Sequence, residues 1–119
     1  MKGYINNENG TVSMDENAVA QCAGATALDC FGIVGMGIVN VKEGIVKLLK
    51  RDNISKGINV LIDEDGNITI DFHIVVAYGV SIKAVTDNLM QSVRYKVEEF
   101  TSLKVTNINV YVEDVRVID

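Results

Sequence analysis

The sequence predicts an α+β fold: a single-domain two-layer sandwich in which a mixed β-sheet packs against two long helices and one short helix. Three observations support this fold class. Apolar residues recur every three or four positions over 81–100, which is the spacing of one helix face. They alternate with polar residues over 105–112, as on a half-buried strand. Two further alternating segments flank Asp65-Gly66 and indicate a β-hairpin.

Two hairpins are predicted from turn sequences between alternating segments. Near the N-terminus, segments 4–6 and 11–13 flank an Asn- and Gly-containing turn at 7–10. Further along, strands 58–63 and 67–77 flank Asp65-Gly66, which we expect to form a two-residue turn. Alternation on the second hairpin predicts that its isoleucines face the core.

The first long helix is expected to cover 14 to about 31. Ser13 and Glu16 have the spacing of a capping box, and Gly32 is a typical helix stop. Alanine and glycine are unusually frequent in this helix. Small side chains permit close approach to a neighbour, which is either another element of the chain or a second copy.

The middle of the chain predicts a bent strand followed by the short helix. Segment 33–39 combines β-branched residues with two glycines, which favours a bend or a bulge. Asn40 is a suitable cap for a helix over 41–51, with a loop over 52–57 after it.

The C-terminal third predicts a helix capped by Ser81 and then a strand over 105–117. The alternation slips near Glu113-Asp114, because Val115 and Val117 have the opposite parity to the preceding apolar residues. We expect a bulge at that point, which would return both valines to the buried face.

Composition limits the classes of partner. The 119 residues suffice for one domain, 1–119, without repeats or linkers. A net charge of −5 disfavours nucleic acid as a partner. No apolar stretch approaches the ~20 residues of a membrane span, and residues 1–12 are polar, so we expect no signal peptide and no direct membrane insertion.

The two cysteines are expected to be free thiols. Cys22 and Cys30 are eight residues apart in the predicted helix, a rise of about 12 Å, whereas a disulfide requires Cα atoms about 4.4–6.8 Å apart. We interpret both as small buried residues in a reducing cytoplasm.

No pattern in the chain predicts catalysis. His73, the only histidine, shares a strand face with Asp71, but two ligands are too few for a zinc site. The acidic run 63–65 surrounds a predicted turn and lacks the spacing of a calcium loop. The cysteines have no base nearby in the sequence. We therefore predict no catalytic residues, no metal site and no cofactor.

Six short motifs are spread, in order, over nearly the whole chain: Gly10-Thr11-Val12-Ser13, Gly32-Ile33-Val34-Gly35-Met36, Gly57-Ile58-Asn59-Val60, Ala77-Tyr78-Gly79, Phe100-Thr101-Ser102-Leu103 and Ile108-Asn109-Val110. In these motifs and their spacing the chain resembles the alkaline-shock, or envelope stress response, family of Gram-positive bacteria. At the position of Ser102 the family usually has glycine. The resemblance implies a non-enzymatic cytoplasmic protein for cell-envelope homeostasis and stress, with no catalytic residues to transfer; some members are linked to fatty-acid synthesis.

Two hypotheses follow for how such a protein acts. The first is an interaction or scaffold protein that self-associates as a homo-oligomer or docks on a membrane-anchored protein partner, which would place it at the inner face of the membrane. The second is a small-ligand-binding regulatory module linked to fatty-acid metabolism, with its site near the Gly35–Gly37 bend and the small-residue helix.

The predicted interaction surface is the polar face of the second hairpin and the last strand. Its residues combine amide, acidic and aromatic side chains on one strand parity: Asp71, His73, Asn107, Asn109 and Tyr111. Such a face is also compatible with a fully solvated surface, which is the alternative to an interface; tyrosine, however, is enriched at protein interfaces. The last strand is also a candidate sheet edge, to which a partner could add a strand.

Overall fold

The described part of the chain contains seven strands, two α-helices and one 3₁₀ helix. The computed structural model describes residues 2–7, 10–40, 44–49 and 51–117. The strands are β1 (Lys2–Asn7), β2 (Gly10–Asp15), β3 (Ile33–Asn40), β4 (Ile45–Leu48), β5 (Ile58–Ile62), β6 (Asn67–Ala77) and β7 (Lys104–Arg116). The helices are α1 (Glu16–Leu28) and α2 (Ile82–Thr101), with a 3₁₀ helix over Arg51–Gly57.

Strand β6 pairs on both of its sides. Antiparallel β3 and β5 occupy successive parts of one side, and parallel β7 runs along the other. Strand β4 pairs with β3, and β1 with β2 forms a separate two-stranded sheet. The predicted mixed sheet, the α+β class and both predicted hairpins are therefore confirmed.

The core lies between the helices and one face of the sheet. Helix α2 contributes a stripe of fully buried residues, from Val85 through Leu89 and Val93 to Val97. Ile70 and Phe72 of β6 are completely buried against the helical layer, whereas Asp71 and His73, which alternate with them, are only partly covered. This alternation confirms the predicted register. Burial of each such aliphatic or aromatic side chain contributes about 1.5–3 kcal/mol.

Helix α1 is shorter than predicted at both ends. Strand β2 continues to Asp15, and the Asp15 side chain caps the helix by accepting a hydrogen bond from the backbone amide of Asn17 at 2.9 Å. The predicted Ser13 cap is thus wrong, because hairpin pairing extends through that position. At the other end, Asp29 follows the last helical turn, and Cys30 lies outside the helix.

The small residues of α1 permit close packing within the chain. A Cβ atom at Gly24 would lie 2.7 Å from Cδ1 of Ile54, which belongs to the 3₁₀ helix. Ala20, Ala23 and Ala27 are buried in the same core. The sequence left open whether this helix packs on another element of the chain or on a second copy. The structure shows it packed on an element of the same chain.

The predicted short helix over 41–51 is wrong. Residues Ile45–Leu48 form β4, and the predicted loop over 52–57 lies in the 3₁₀ helix. Gly44 has φ +65°, a turn conformation, and the β-branched residues after it favour pairing with β3 over a helix. Part of the predicted segment, residues 41–43 and 50, lies outside the described residues. The predicted bend in β3 is confirmed as a register shift between Ile33 and Gly35.

The turn between β5 and β6 has three residues instead of the predicted two. The amide of Gly66 donates to the carbonyl of Asp63 at 3.0 Å, and Gly66 has φ +81°. This combination is a type I turn followed by a left-handed residue. The Asp63 carboxylate fixes the turn, since Oδ1 accepts from the amides of Asp65 and Asn67 at 2.9 Å each.

Strand β7 contains two register shifts against β6, at Thr106 and at Glu113. The second confirms the predicted bulge. The first was not predicted, although Val105 has the opposite parity to Ile108, Val110 and Val112. Val115 lies opposite Val76 after the bulge and so returns to the helical side. It is nevertheless 44% exposed, and Val117 is 74% exposed. The prediction that both valines become buried is wrong, because the described residues leave this end of the strand uncovered.

Helix α2 begins at the predicted Ser81 cap. The backbone conformation at its other end explains why the family usually has glycine at the position of Ser102. The Ser81 hydroxyl accepts from the amide of Ala84 at 3.2 Å at the first turn. Ser102 caps the last turn with φ +59°, the only positive φ of a non-glycine residue in the described part of the chain. Neither helix of the described residues is sufficiently long and apolar to cross a bilayer.

Candidate functional site

The five residues of the predicted interaction surface lie on one exposed side of the sheet. Asp71 of β6 is opposite Asn109 of β7, and His73 is opposite Tyr111. Asn107 is one step further along, opposite Thr69. We call Asp71, His73, Asn107, Asn109 and Tyr111 the polar face. The parallel pairing of β6 with β7 brings all five together, on the side of the sheet that the helices do not cover.

Side-chain contacts link the two strands across the polar face. Nδ2 of Asn109 donates to Oδ1 of Asp71 at 2.8 Å. The rings of His73 and Tyr111 are stacked, with centroids 5.0 Å apart and planes inclined by 15°. These cross-strand pairs stabilise the register by a few tenths of a kcal/mol up to about 1 kcal/mol each.

His73 has a second partner that the sequence analysis missed. Its Nδ1 lies 3.0 Å from Oε1 of Glu113. Because a carboxylate only accepts hydrogen bonds, Nδ1 carries the proton in this pair. Glu113 is the extra residue of the second bulge. The change of parity near Glu113-Asp114 was therefore the only feature of the sequence that pointed to this contact. The pairing considered from the sequence, His73 with Asp71, is absent, since Asp71 binds Asn109 instead.

A shallow hollow of about 280 Å³ lies beside the polar face. His73 and Glu113 line one part of it, and Gly37 and Ile38 of β3 line another. Asn59 of β5 and Lys56 of the 3₁₀ helix complete the lining. Lys56 was not predicted to lie beside the polar face, because the 3₁₀ helix that places it there was predicted as a loop.

The outer edge of β7 is unpaired. Among the described strands only β6 pairs with β7, which leaves the backbone groups on its other side without a strand partner over Lys104–Arg116. Arg116 holds the end of this strand near β4, since its Nη2 donates to the carbonyl of Val46 at 2.7 Å. Between residues 105 and 112 the strand has no charged side chain.

The cysteines are free thiols, as predicted. Cys30 is buried, but Cys22 is only half-buried, so the prediction that both are buried is wrong for Cys22. Burial raises the pKa of both thiols above the ordinary value of 9.0, which disfavours the nucleophilic thiolate at neutral pH. Within the described residues, no group of three or more His, Cys, Asp or Glu side chains could hold a metal ion.

These features define a small α+β protein whose sheet carries two helices on one side and a polar, accessible surface with an open edge on the other. The chain belongs to the alkaline-shock protein 23 family, whose described function is related to the cell envelope. The model of this family matches residues 4–117. The resemblance to the alkaline-shock family is thereby confirmed.

Several bacterial relatives share most of the chain. The uncharacterized protein YloU of Bacillus subtilis is 38% identical over 109 residues, which cover 91% of this chain and 90% of YloU. The uncharacterized protein Spy1614 of Streptococcus pyogenes is 31% identical over 115 residues, which cover 96% of this chain and 94% of Spy1614. A stress response regulator gls24 homolog of the same species is 24% identical over 110 residues, 90% of this chain but 59% of that protein. No solved structure matches the chain significantly.

Proposed function

We propose that this protein is a non-enzymatic cytoplasmic component of cell-envelope homeostasis and the stress response, acting through self-association and protein partners. The family description and the name of the gls24 relative support the envelope and stress context. The observation that carries the proposed mode of action is the unpaired edge of β7.

An unprotected edge strand pairs readily with another chain, and proteins that avoid such pairing place charges, prolines or bulges on the edge. Strand β7 has bulged positions at Thr106 and Glu113. The stretch between them has regular pairing to β6 and contains neither charge nor proline. The proposed occupant of this edge is β7 of a second copy. Two identical edges that meet about a twofold axis form a closed, isologous interface.

The polar face provides a second contact area next to that edge. Tyr111 is 49% exposed, and its ring is held in place by stacking on His73. A pre-ordered aromatic side chain loses little entropy on binding, and tyrosine is among the residues that dominate interface energies. We assign this face to a membrane-anchored protein partner, which would hold the assembly at the inner face of the cell membrane.

The chemistry of the face supports a role without catalysis. Its histidine is engaged by a carboxylate and by an aromatic ring, and the five residues of the polar face include no serine or cysteine that the histidine could activate. The cysteine thiols belong to the helical layer, with raised pKa values. Polar side chains that bind one another across strands are suited to recognising a second surface.

The proposal is tested by co-expressing two differently tagged copies of the full chain, capturing one and quantifying the other. The wild type should recover its second copy, whereas the double variant Asn109→Lys with Tyr111→Ala should not. A matched control on the exposed side of α2, Gln91→Lys with Tyr95→Ala, should behave like the wild type. Equal recovery for wild type and the β7 variant, with unchanged folding, would show that the β7 edge does not mediate self-association.

A further inference from the structure

The outer edge of β5 is a second unpaired edge, on the opposite side of β6 from β7. Among the described strands, β5 pairs only with β6. That pairing is regular over Ile58–Ile62, without a bulge, and these five residues include neither a charge nor a proline. Such an edge is a template for an added strand, since proteins that avoid strand addition interrupt their edges with charges, prolines or bulges.

The hydrogen bonds of β5 show which of its backbone groups face outward. The amide of Asp63 donates to the carbonyl of Asn67 at 3.0 Å, so this residue bonds towards β6. In an antiparallel pair, alternate residues bond towards the partner strand and away from it. Val60 and Ile62 therefore direct their amides and carbonyls to the open side. The Ile62 amide agrees with this direction, because it donates to Oε2 of Glu16 in α1 at 3.3 Å.

The side chain of Glu16 covers only one end of this edge. Its carboxylate oxygen accepts from Ile62 as the carbonyl of a neighbouring strand would. Val60, in the middle of β5, is half-buried and has no described strand on its outer side. Its amide and carbonyl are therefore the groups that an added strand would engage.

Two successive hollows lie along the edge. The first, of about 480 Å³, extends from the first turns of α1 across β5 to Asp71 of β6, and Ala20 and Val60 contribute apolar lining. The second, of about 320 Å³, continues to the turn after β5. Leu61 lines both hollows, and its side chain is 62% exposed. Outward backbone groups and apolar side chains thus lie next to each other, which is what recognition by strand addition requires.

The charges along this edge are acidic. Glu16 and Asp71 line the first hollow, Asp63 and Glu64 line the second, and the described residues that line the two include no lysine or arginine. Lys56 precedes the strand and lines the hollow beside the polar face instead. Complementary potentials favour a cationic partner for such a surface. A second copy of this chain, with its net charge of −5, is the less suitable occupant.

We propose that the outer edge of β5 binds an extended, lysine- or arginine-containing segment of a partner protein by strand addition. The backbone of the segment pairs with Val60, and its apolar side chains contact Leu61. Its cationic side chains lie beside Glu64 and Asp71. Because β5 and β7 lie on opposite sides of β6, this site stays accessible when the β7 edge is paired.

The experiment is a titration of the full chain with a pentapeptide of alternating lysine and valine, blocked at both ends, followed by amide NMR. Saturable shifts at Ile58–Ile62, with a Kd below about 1 mM, are expected. At saturation, hydrogen exchange of the Val60 amide should slow at least tenfold. The amides of Asn59 and Leu61 should change less, because they already bond to β6. A peptide with glutamate in place of lysine should not bind.

Two variants separate the backbone contribution from the charge contribution. Val60→Pro removes the outward amide, and an edge strand tolerates proline where the N–H faces away from its neighbour. Glu64→Gln with Asp71→Asn removes two charges at nearly constant shape. Each variant should weaken binding at least tenfold. The matched control Asp29→Asn with Glu99→Gln removes two charges from exposed positions of the helical layer and should bind as the wild type does.

Several results would overturn the proposal. Shifts that do not saturate up to about 10 mM would show that the edge does not bind the peptide. Shifts confined to Lys104–Arg116 would place binding at the β7 edge. Binding with unchanged exchange at Val60 would indicate attraction between charges without strand addition. Protection of Val60 that rises with protein concentration in the absence of peptide would identify a second copy as the occupant. If Val60→Pro does not fold, wild-type affinity of the charge variant alone is contradictory.

Discussion

Nδ1 of His73 lies 3.0 Å from Oε1 of Glu113, which joins the central strand to the extra residue of a bulge in its neighbour. The bulge turns Glu113 towards the side of the sheet that the helices leave open. A histidine that would otherwise be an isolated strand residue is thereby held between a carboxylate and the ring of Tyr111.

Substitution of that histidine tests whether the contact is structural or catalytic. His73→Ala should lower the free energy of unfolding by no more than about 1 kcal/mol, because partly exposed ion pairs contribute little. Biological activity should be nearly intact. Urea unfolding measures the first effect, and rescue of a deletion strain under envelope stress measures the second. Loss of rescue with unchanged stability and undiminished recovery of protein partners in a lysate pull-down would refute the non-enzymatic proposal.

Gly32 is predicted to be the more sensitive of two left-handed glycines. It has φ +79°, and a Cβ atom there would lie 2.5 Å from Cγ2 of the buried Val85. Gly32→Ala should therefore cost about 2–4 kcal/mol, through backbone strain and overpacking together. The control substitution is Gly79→Ala. Gly79 has φ +90° and no atom within 4 Å of an added Cβ, so this substitution should lower the free energy of unfolding by only about 1–2 kcal/mol. Equal costs in urea unfolding would contradict this account.

Ser102 offers a stabilising substitution. A serine at φ +59° carries a conformational penalty that glycine avoids. Ser102→Gly should raise the free energy of unfolding by about 0.5–1 kcal/mol, whereas Ser102→Ala should bring no gain. Thermal unfolding of the three proteins measures the difference. A gain for alanine as large as that for glycine would assign the effect to the side chain and not to the backbone.

The buried thiols predict a loss of stability in alkaline solution. Burial raises the pKa of Cys30 and Cys22 in the folded state above the ordinary 9.0. As the pH rises through 9.0, thiols of the unfolded chain ionise while folded ones remain protonated, so the free energy of unfolding falls until the pH exceeds the raised pKa values. The double variant Cys22→Ala with Cys30→Ala should show a shallower decline.

Unfolding curves at several pH values above and below 9.0 provide the comparison. The cysteine variant will be less stable overall, since removal of the Cys30 side chain leaves a small cavity that costs about 1 kcal/mol. The informative quantity is therefore the slope against pH. Identical slopes for the two proteins would exclude the thiols as the source of the decline.

Periodicity in the sequence was sufficient to predict β5, β6, α2 and β7, because each has one buried face over many residues. It failed at β4, where only four residues pair and the hydrogen bonds to β3 override helix propensity. The start of α1 was misplaced because Ser13 and Asp15 are both good caps, and only hairpin pairing decides between them.

The polar face was predictable from strand parity, but its contacts were not. Asn109 with Asp71 and Tyr111 with His73 depend on the register of two parallel strands that are separated by a whole helix. Glu113 joins the site only through the bulge, and Lys56 only through the 3₁₀ helix.

Self-association through the β7 edge is the central claim, and the mass of the protein in solution tests it most directly. Size-exclusion chromatography with light scattering, over a wide range of concentrations, should give a wild-type mass above that of the 13.0 kDa chain. The Asn109→Lys, Tyr111→Ala variant should remain a folded monomer, and Gln91→Lys, Tyr95→Ala should match the wild type. A wild type that is monomeric at every concentration, or a β7 variant with undiminished mass, would contradict the account.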